Sequence, residues 1–450
     1  MQHRDMVLLS LVVSLPFLFG LILHALSMTI LVKFAFMGVA AAVVALVVLS
    51  FPKLGILFGI FYIYAGLSFY FRIPVAYPVI ILTLLASVFA MLSGGSARLR
   101  DPWFIWSAIL FTLFAVQSML FSYSLTYSLI SFSKYLKVLV LVFLIVQFIA
   151  TIRDLELLFT ILFAGAVASV LLGILNLRLG LVSNLNVIGG ANLLRFSGTF
   201  EDPNTLALIL SSALPMGIYL ARYRGGAFWK TVAALGVVTL IIATFVSFTR
   251  AAIFPILFVI VAVIARETRR SKTAFTLFVM LGAAIVILFV PDIYWKRILA
   301  LGNIEEISAT DWSLYLRLKA AKVALQLFAE HPLTGVGLHN FIVRSGSDVI
   351  VRIVAHNSYL EILSGTGIFG FLALMSVFWS GARACLRGIR RRVRDAADRR
   401  LGNLSFYTLI ALVSPLIGAL FLSSPFSYSI WIPLAAGLVL GRLLDERSAH

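Results

Sequence analysis

Long apolar runs recur along the whole chain, and few of them contain a charged side chain. A helix that crosses ~30 Å of hydrocarbon needs about 20 such residues. The runs predict up to fourteen spans, roughly at 7–26, 32–51, 54–71, 74–94, 103–121, 129–150, 155–177, 204–221, 230–248, 251–265, 273–291, 357–380, 404–423 and 427–446. The pattern therefore predicts an all-α integral membrane protein with about 12–14 transmembrane helices, organised as a single polytopic membrane domain over residues 1–450.

The distribution of basic residues predicts the orientation of these spans. Lys and Arg accumulate in the cytoplasmic loops of multi-pass membrane proteins. If the N-terminus is cytoplasmic and the spans alternate, 22 of the 36 Lys and Arg residues lie inside, including the run from Arg387 to Arg400. Both termini are then cytoplasmic. The same rule accounts for the net charge of +18, so we expect membrane lipids and no nucleic acid as partners.

Charged residues make up only 12% of the chain, and the middles of the spans contain almost none. The deepest are Lys134 and Lys137, in the outer half of their span. An ion-coupled transporter generally needs polar or charged groups near the bilayer midplane. This distribution favours chemistry at the membrane surface over transport.

The remaining basic residues cluster at or beyond the predicted outer face. Arg195 and Arg250 lie in outer loops, and Arg317 and Arg352 lie in the long segment 292–355. Guanidinium groups bind phosphate oxygens in bidentate fashion without a metal ion. These arginines are candidate ligands for an anionic group at the membrane surface, such as a lipid-linked diphosphate. The alternative is that each one extends to the lipid head groups.

Segment 292–355 is predicted to be a long outer loop with a helix of its own. Asp311 can cap that helix at its start, and Pro332 ends it. Apolar residues share one face, whereas Lys319 and Lys322 share another, so we expect an amphipathic helix on the outer surface. It is either a structural cover or part of a substrate-binding surface.

His356 begins the stretch A-H-N-S-Y-L-E-I-L-S-G-T-G-I-F-G in a chain with only six histidines. A continuous helix would put Gly367 and Gly370 on the same face as His356, which predicts that this face packs inside the bundle. Glu361 would lie about 140° away, which excludes it as a same-face partner of the imidazole. His356 is either a hydrogen-bonded structural group or a general base, which nearby arginines would keep neutral.

The stretch R-F-S-G-T-F-E-D-P-N-T-L-A-L-I-L over 195–210 is a second polar group. Asp202 followed by Pro203 predicts a helix start that opens toward the outside, beside Arg195. That terminus favours an anion, unless Asp202 only caps and Glu201 is only solvated.

G-V-G-L-H-N at 335–340 lacks the context of a nucleotide loop and is predicted to be a turn. The histidine spacing and the single cysteine, Cys385, predict no metal site and no cofactor.

Three separated blocks resemble the O-antigen ligase and polymerase superfamily. They are R-F-S-G-T-F-E-D-P-N-T-L-A, S-F-T-R-A-A at 247–252, and H-P-L-T-G-V-G-L-H-N-F continuing into A-H-N-S-Y-L-E-I-L-S-G-T-G-I-F-G. The last block fits the ligase pattern of His, then Asn, and two later glycines, here His356, Asn357, Gly367 and Gly370. The resemblance covers roughly residues 190–375.

The resemblance implies a metal-independent membrane glycosyltransferase in a bacterial inner membrane, with its active site in the periplasm. The donor would be an undecaprenyl-diphosphate-linked glycan, and the acceptor a hydroxyl of lipid A-core, of another glycan, or of a protein serine. His356 would be catalytic, and Arg195 and Arg250 would bind the diphosphate, helped by Arg317 and Arg352. Further candidates for a supporting role are Asn204, Asn357 and Glu201.

Two other functions remain open from the sequence. One is a transporter or flippase for a lipid-linked glycan or a small anion. The other is a non-catalytic membrane scaffold, which would leave the outer arginines without a task.

Overall fold

The computed structural model describes residues 42–70, 74–179, 186–188, 193–247, 249–267, 312–343 and 354–448. The predicted spans 7–26 and 273–291 lie outside the described residues, as does most of 32–51. Arg352 lies outside them as well.

The described residues form helices joined by short turns, together with one small antiparallel ribbon. In chain order the elements are α1 (Pro52–Tyr64), α2 (Ala76–Leu92), α3 (Pro102–Met119), α4 (Leu125–Phe148), α5 (Ile152–Leu179), β1 (Asn186–Ile188), β2 (Leu193–Arg195), α6 (Pro203–Tyr223), α7 (Ala227–Val246), α8 (Arg250–Glu267), α9 (Trp312–Glu330), α10 (Ser358–Arg390), α11 (Ala396–Gly418) and α12 (Tyr428–Ser448). A single helical turn, Leu67–Tyr70, follows α1. In the ribbon, Asn186 pairs with Arg195 and Ile188 with Leu193.

Eight of these helices are long and apolar enough to cross a membrane, and three shorter apolar helices accompany them, among the residues that the structure describes. The observed bounds follow the predicted ones closely. For example, the spans expected at 103–121 and 230–248 are helices at Pro102–Met119 and Ala227–Val246. The prediction of an all-α, multi-pass membrane protein is confirmed.

The core of the bundle lies around α6 and α12. In each of these helices, 78% of the most apolar stretch is buried, compared with 28% in α7. Aromatic side chains fill the centre, where Trp431 packs against Tyr135 and Phe378 with ring centroids 5.8 and 5.7 Å apart. Because lipid covers what the bundle does not, α7 is a peripheral helix and α6 and α12 are central ones.

Polar contacts divide the molecule into two ends. At what we call the basic end, residues 95–101, 146–156, 383–400 and 442–448 come together. At what we call the histidine end, residues 122–128, 195–202, 247–250, 331–343, 354–361 and 419–424 come together.

Contacts within each end join loops that the alternating spans put on the same side of the membrane. At the basic end, Arg383 binds Asp101 at 3.1 Å and Arg387 binds Asp445 at 2.7 Å. At the histidine end, the amide N–H of Ser358 donates to the carbonyl of Ala419 at 2.9 Å. These long-range contacts agree with the alternation predicted from the sequence.

Helix α10 is broken at Gly367, where φ is 70° and ψ is −175°. The break leaves backbone groups that need other partners, since unpaired backbone is costly inside a membrane protein. The turn 331–340 supplies them: Val336 N–H donates to Ser364 O at 3.0 Å, and Gly337 N–H donates to Gly365 O at 2.9 Å. The G-V-G sequence is thus a turn, as predicted, and two of its amides donate hydrogen bonds to carbonyls at the break in α10.

This break corrects the predicted glycine stripe on a continuous helix. A Cβ at Gly367 would meet the carbonyls of Leu333 and Pro332, at 2.6 and 2.8 Å, so its close neighbour is the docked turn. A Cβ at Gly370 would lie 3.3 Å from Phe114 of α3. Only the second glycine faces another membrane helix.

We expect Gly367→Ala to destabilise the fold. Its backbone conformation is nearly exclusive to glycine, and the added methyl would collide with carbonyl oxygens, so the cost is about 1–3 kcal/mol or more. The apparent melting temperature of the detergent-purified protein should therefore fall. Gly402→Ala is the matched control, because it lies inside α11 with its nearest neighbour for a Cβ at 3.5 Å. Equal melting temperatures for the two variants would contradict the role given to the break.

Candidate functional site

The F-S-G-T-F sequence at 196–200 forms a buried turn at the histidine end. Thr199 Oγ1 donates to the carbonyl of Ala65 at 2.7 Å, which ties the turn to the end of α1. The turn leads into Asp202, whose carboxylate accepts hydrogen bonds from the amides of Asn204 and Thr205, both at 3.2 Å. The predicted N-cap is therefore confirmed, and buried packing fixes its position.

The two other polar candidates of this block are less enclosed. Asn204 Nδ2 donates to Asp202 Oδ1 at 3.0 Å, so this amide supports the cap. Glu201 is exposed, next to Asp202. Both positions are compatible with a supporting role in the site, and Asn204 also stabilises the N-cap of α6.

Arg195 connects the first sequence block to the second. Its Nε donates to the carbonyl of Ser247 at 3.1 Å, and one terminal nitrogen donates to Thr249 Oγ1 at 2.8 Å. These contacts hold the turn from which α8 starts. Arg250 is the first residue of α8, and its side chain lies outside the described part of the chain. Arg195 therefore positions the backbone of Arg250, whatever else it binds.

Helix α9 is amphipathic, as predicted. Ala320, Val323 and Leu327 are buried and pack in one cluster with Val336 and Phe341 of the following segment. Lys322 and Gln326, on the other face, are exposed. The same cluster includes Ala355 and Leu360, so α9 lies against the start of α10 and carries Arg317 toward His356.

His356 does not lie in a helix, which corrects the prediction made from the helical projection. Asn357 is the N-cap of α10, and its Oδ1 accepts from the amides of Tyr359 and Leu360 at 2.9 and 3.1 Å. His356 precedes this cap with a φ of 50°. Because His356 lies before the cap, the helical periodicity of α10 does not set the direction of its imidazole. The angle of about 140° predicted between His356 and Glu361 therefore does not apply.

The half-buried imidazole of His356 lies among charged groups from three elements. Burial lowers the pKa of His356 below its ordinary value, and the charge of Arg317 lowers it further. Asp202 and Glu361 act in the opposite direction and only partly offset these effects. His356 is therefore neutral at neutral pH, as the sequence predicted from nearby arginines, and it can accept a hydrogen bond or a proton.

A second histidine, which the sequence analysis did not select, lies in the same region. His339 Nδ1 is 2.6 Å from Oε1 of Glu361, a side chain that is only 5% exposed. The two residues are 22 positions apart, on a turn and on a helix. No local motif signals such a pair, because it depends on the docking of the G-V-G turn onto the break in α10.

The structure thus brings most of the described candidates to one end of the bundle. Arg317 and Asp202 act on His356, and Arg195 is joined to them through the turn that ends at Asp202. Among the described residues, no three His, Cys, Asp or Glu side chains converge as metal ligands would. The arrangement offers cationic groups and a neutral imidazole around one region, which suits a phosphorylated ligand and an alcohol.

Residues 235–375 match a family model described as O-Antigen ligase. The match includes the second and third sequence blocks, and it confirms the resemblance to the O-antigen ligase and polymerase superfamily. No curated protein matches the chain. The family match supports a membrane enzyme of the ligase or polymerase type that transfers glycan, with a lipid-linked glycan and a glycan acceptor as substrates.

The charge of Arg317 provides a test of the site's electrostatics. In Arg317→Gln, the pKa of His356 should rise, because one of the effects that lowers it is removed. Histidine-selective ¹³C NMR of the detergent-purified protein measures this, with the His356 signal identified by its loss in His356→Asn. Lys322→Gln is the matched control, since this exposed lysine lies on the other face of α9. An unchanged titration of His356 in Arg317→Gln would show that the charge of Arg317 does not act on His356.

Proposed function

We propose that this chain, whose residues 235–375 match the O-antigen ligase family, transfers a glycan from undecaprenyl diphosphate to an acceptor hydroxyl at the periplasmic face of the bacterial inner membrane. The transfer inverts the configuration at the anomeric carbon and uses no metal ion. The acceptor is lipid A-core in a ligase and a further lipid-linked glycan in a polymerase. Both chain termini are cytoplasmic, and segment 292–355 belongs to the periplasmic loop.

One observation carries the proposal: at the end of the bundle opposite the basic end lies a half-buried imidazole, His356, whose pKa is lowered by burial and by the charge of Arg317. The orientation rule assigns the basic end to the cytoplasm. The His356 region is then on the side where lipid-linked glycans are joined to acceptors in this family. A neutral imidazole at that position can take the acceptor proton or orient the hydroxyl.

The transfer step follows from these groups. The acceptor oxygen bonds to the anomeric carbon of the donor glycan, the bond from that carbon to the diphosphate oxygen breaks, and both electrons leave with the diphosphate. Arg195, Arg250, Arg317 and Arg352 bind the diphosphate and stabilise the charge that develops on it. Asn204, Asn357 and Glu201 support the site around them.

Arg195 and Arg250 have different shares in this work. Two donors of Arg195 bind the turn before α8, so a change at Arg195 also displaces Arg250. Arg250 stands at the first position of α8, where the helix N-terminus adds positive potential to its own charge. Arg250 is therefore the residue whose substitution tests diphosphate binding most directly.

His356→Asn should abolish transfer and leave the fold intact. Asparagine tolerates the positive φ of this position, whereas alanine would add backbone strain. The assay uses detergent-solubilised membranes from cells that lack the gene, which contain donor and acceptor, and measures polyprenyl diphosphate release on addition of purified protein. We expect a loss of about 10²–10⁴-fold, the usual contribution of acid–base catalysis by positioned side chains.

This assay also separates an enzyme from a transporter or flippase. No compartments exist in detergent, so transport consumes no donor. If the wild-type protein releases no diphosphate, the proposed function is wrong. If His356→Asn matches the wild type, the role of His356 is wrong.

Arg250→Lys should lower the turnover of the donor while keeping the positive charge, because an ammonium group cannot form the two parallel hydrogen bonds of a guanidinium. Arg178→Lys is the matched control, since Arg178 is exposed near the end of α5. The measurement is the same diphosphate release at a series of donor concentrations. Full activity in Arg250→Lys would reduce Arg250 to a residue that contacts lipid head groups.

The acceptor class is read from the glycans of cells that lack the gene. Single unpolymerised repeats on lipid A indicate a polymerase, and accumulated lipid-linked chains indicate a ligase. Loss of a secreted polymer indicates an exopolysaccharide enzyme. Gel analysis of the extracted glycans distinguishes the three.

A further inference from the structure

The pair of His339 and Glu361 has no role in the function proposed above, although the charge of Glu361 acts on His356. Glu361 Oε1 lies 2.6 Å from His339 Nδ1, and the charge of Glu361 also acts on His356. One buried carboxylate thus contacts one imidazole and acts through its charge on a second. Carboxylates that hold the Nδ1–H of a histidine fix its tautomer and leave Nε2 as the acceptor.

Backbone strain marks the same two histidines. Outside glycine, the described ranges contain positive φ at His339, with 59°, and at His356, with 50°, and nowhere else. Such conformations cost free energy and persist where the surroundings determine them, most often at functional sites. Two independent turns, 17 positions apart in the sequence, are strained in order to present an imidazole to one region.

The turn that carries His339 is fixed on both sides. Asn340 is fully buried; its Oδ1 accepts from the amide of Ser124 at 2.6 Å, and its Nδ2 donates to Ser128 Oγ at 2.7 Å. On the other side, Gly337 is bonded to the carbonyl of Gly365 at the break in α10. The imidazole of His339 is therefore held in place by α4 and by α10 together.

The second carboxylate oxygen of Glu361 lacks a hydrogen-bond donor among the described residues. Oε2 is buried and has no hydrogen-bond partner among the described residues, although the side chain is 95% removed from solvent. A buried carboxylate oxygen without a donor is costly, and such groups in native proteins usually have a redox, catalytic or ligand-binding reason. The carboxylate is therefore poised to receive a donor beyond those that the described residues supply.

The two histidines differ in the charged group nearest to them. Burial and the charge of Arg317 lower the pKa of His356, which disfavours an imidazolium there. His339 has a carboxylate in direct contact, with Glu361 Oε1 2.6 Å from its Nδ1. Among the described residues, the ring of Tyr127 lies 6.2 Å from that of His339, and the charged groups that act on His356 are Arg317, Asp202 and Glu361.

We propose that His339 and Glu361 form a second proton-accepting dyad in the same site as His356. In this arrangement His356 orients the acceptor hydroxyl, and the proton of that hydroxyl ends on the imidazole of His339. His339 is the catalytic residue of the dyad, and Glu361 is a positioning residue that holds Nδ1–H and balances the imidazolium. The inference rests on the proposed glycosyl transfer: the new bond to the anomeric carbon forms, the diphosphate leaves, and the acceptor proton is stored on the dyad.

The test uses the full-length protein in the diphosphate-release assay, with His339→Gly, His339→Asn and Glu361→Gln. Glycine and asparagine both tolerate a φ of 59°, so the turn is retained in the first two variants. We expect each variant to lose about 10²–10⁴-fold in kcat, with the KM for the donor within about twofold of the wild type. Added imidazole should restore part of the activity of His339→Gly, because glycine leaves room for a free base.

The pH profile distinguishes proton transfer from a structural role. Because the negative charge of Glu361 raises the pKa of His356, the acid limb of the kcat profile should move to lower pH in Glu361→Gln if this carboxylate acts on the proton transfer of the site. His331→Asn is the matched control, since His331 lies eight residues earlier in the same segment and makes no side-chain hydrogen bond among the described residues. It should retain the wild-type rate and profile.

The outcomes are separable from those of the proposed function. An inactive wild-type protein contradicts the transfer reaction itself. An active wild type with unchanged kcat in the His339 and Glu361 variants overturns the dyad alone. If the variants are inactive but imidazole does not restore His339→Gly and the acid limb does not move, the pair is structural and the proposal is overturned as well.

Discussion

The break in α10 is the constraint on which the histidine end depends. A helix that opens inside a membrane bundle must give its backbone carbonyls other donors, and here the amides of Val336 and Gly337 bond to Ser364 and Gly365. This contact fixes the segment after α9 against the start of α10. The position of α9, the approach of Arg317 to His356, and the pairing of His339 with Glu361 all follow from it.

Distant parts of the chain meet at this end through short, specific contacts. Arg195 holds the turn before α8 in place, and Asp202 caps α6 close enough for its charge to act on His356. Each side chain there belongs to a turn or helix terminus held by buried neighbours, such as the Thr199 contact to Ala65. Rigid elements thus present groups that, taken singly, would each have a structural explanation. Their meeting at one place supports the chemical role proposed for them.

Much of this fold could be predicted from the sequence, because its signals are local. Apolar run length gave the helix bounds, and the Asp202 and Pro203 pair gave the start of α6. The exit of His356 from the helix could not be predicted, since the cap at Asn357 and the break at Gly367 are not visible in a periodic pattern. The His339 and Glu361 pair depends on two turns meeting across the fold. Local patterns carry no information about such a meeting.

The hydrogen bonds and ion pairs at the basic end have a different consequence. Glu156 accepts from Tyr219 at 2.7 Å and pairs with Arg400, so one carboxylate links α5, α6 and α11 there. A screen of random substitutions would consequently divide into two phenotypes. Changes around Glu156 would reduce the amount of protein that survives quality control, whereas changes around His356 would leave abundance normal and remove product. Comparing the protein level with the glycan output for each substituted position would show which positions along the bundle axis are structural and which are catalytic.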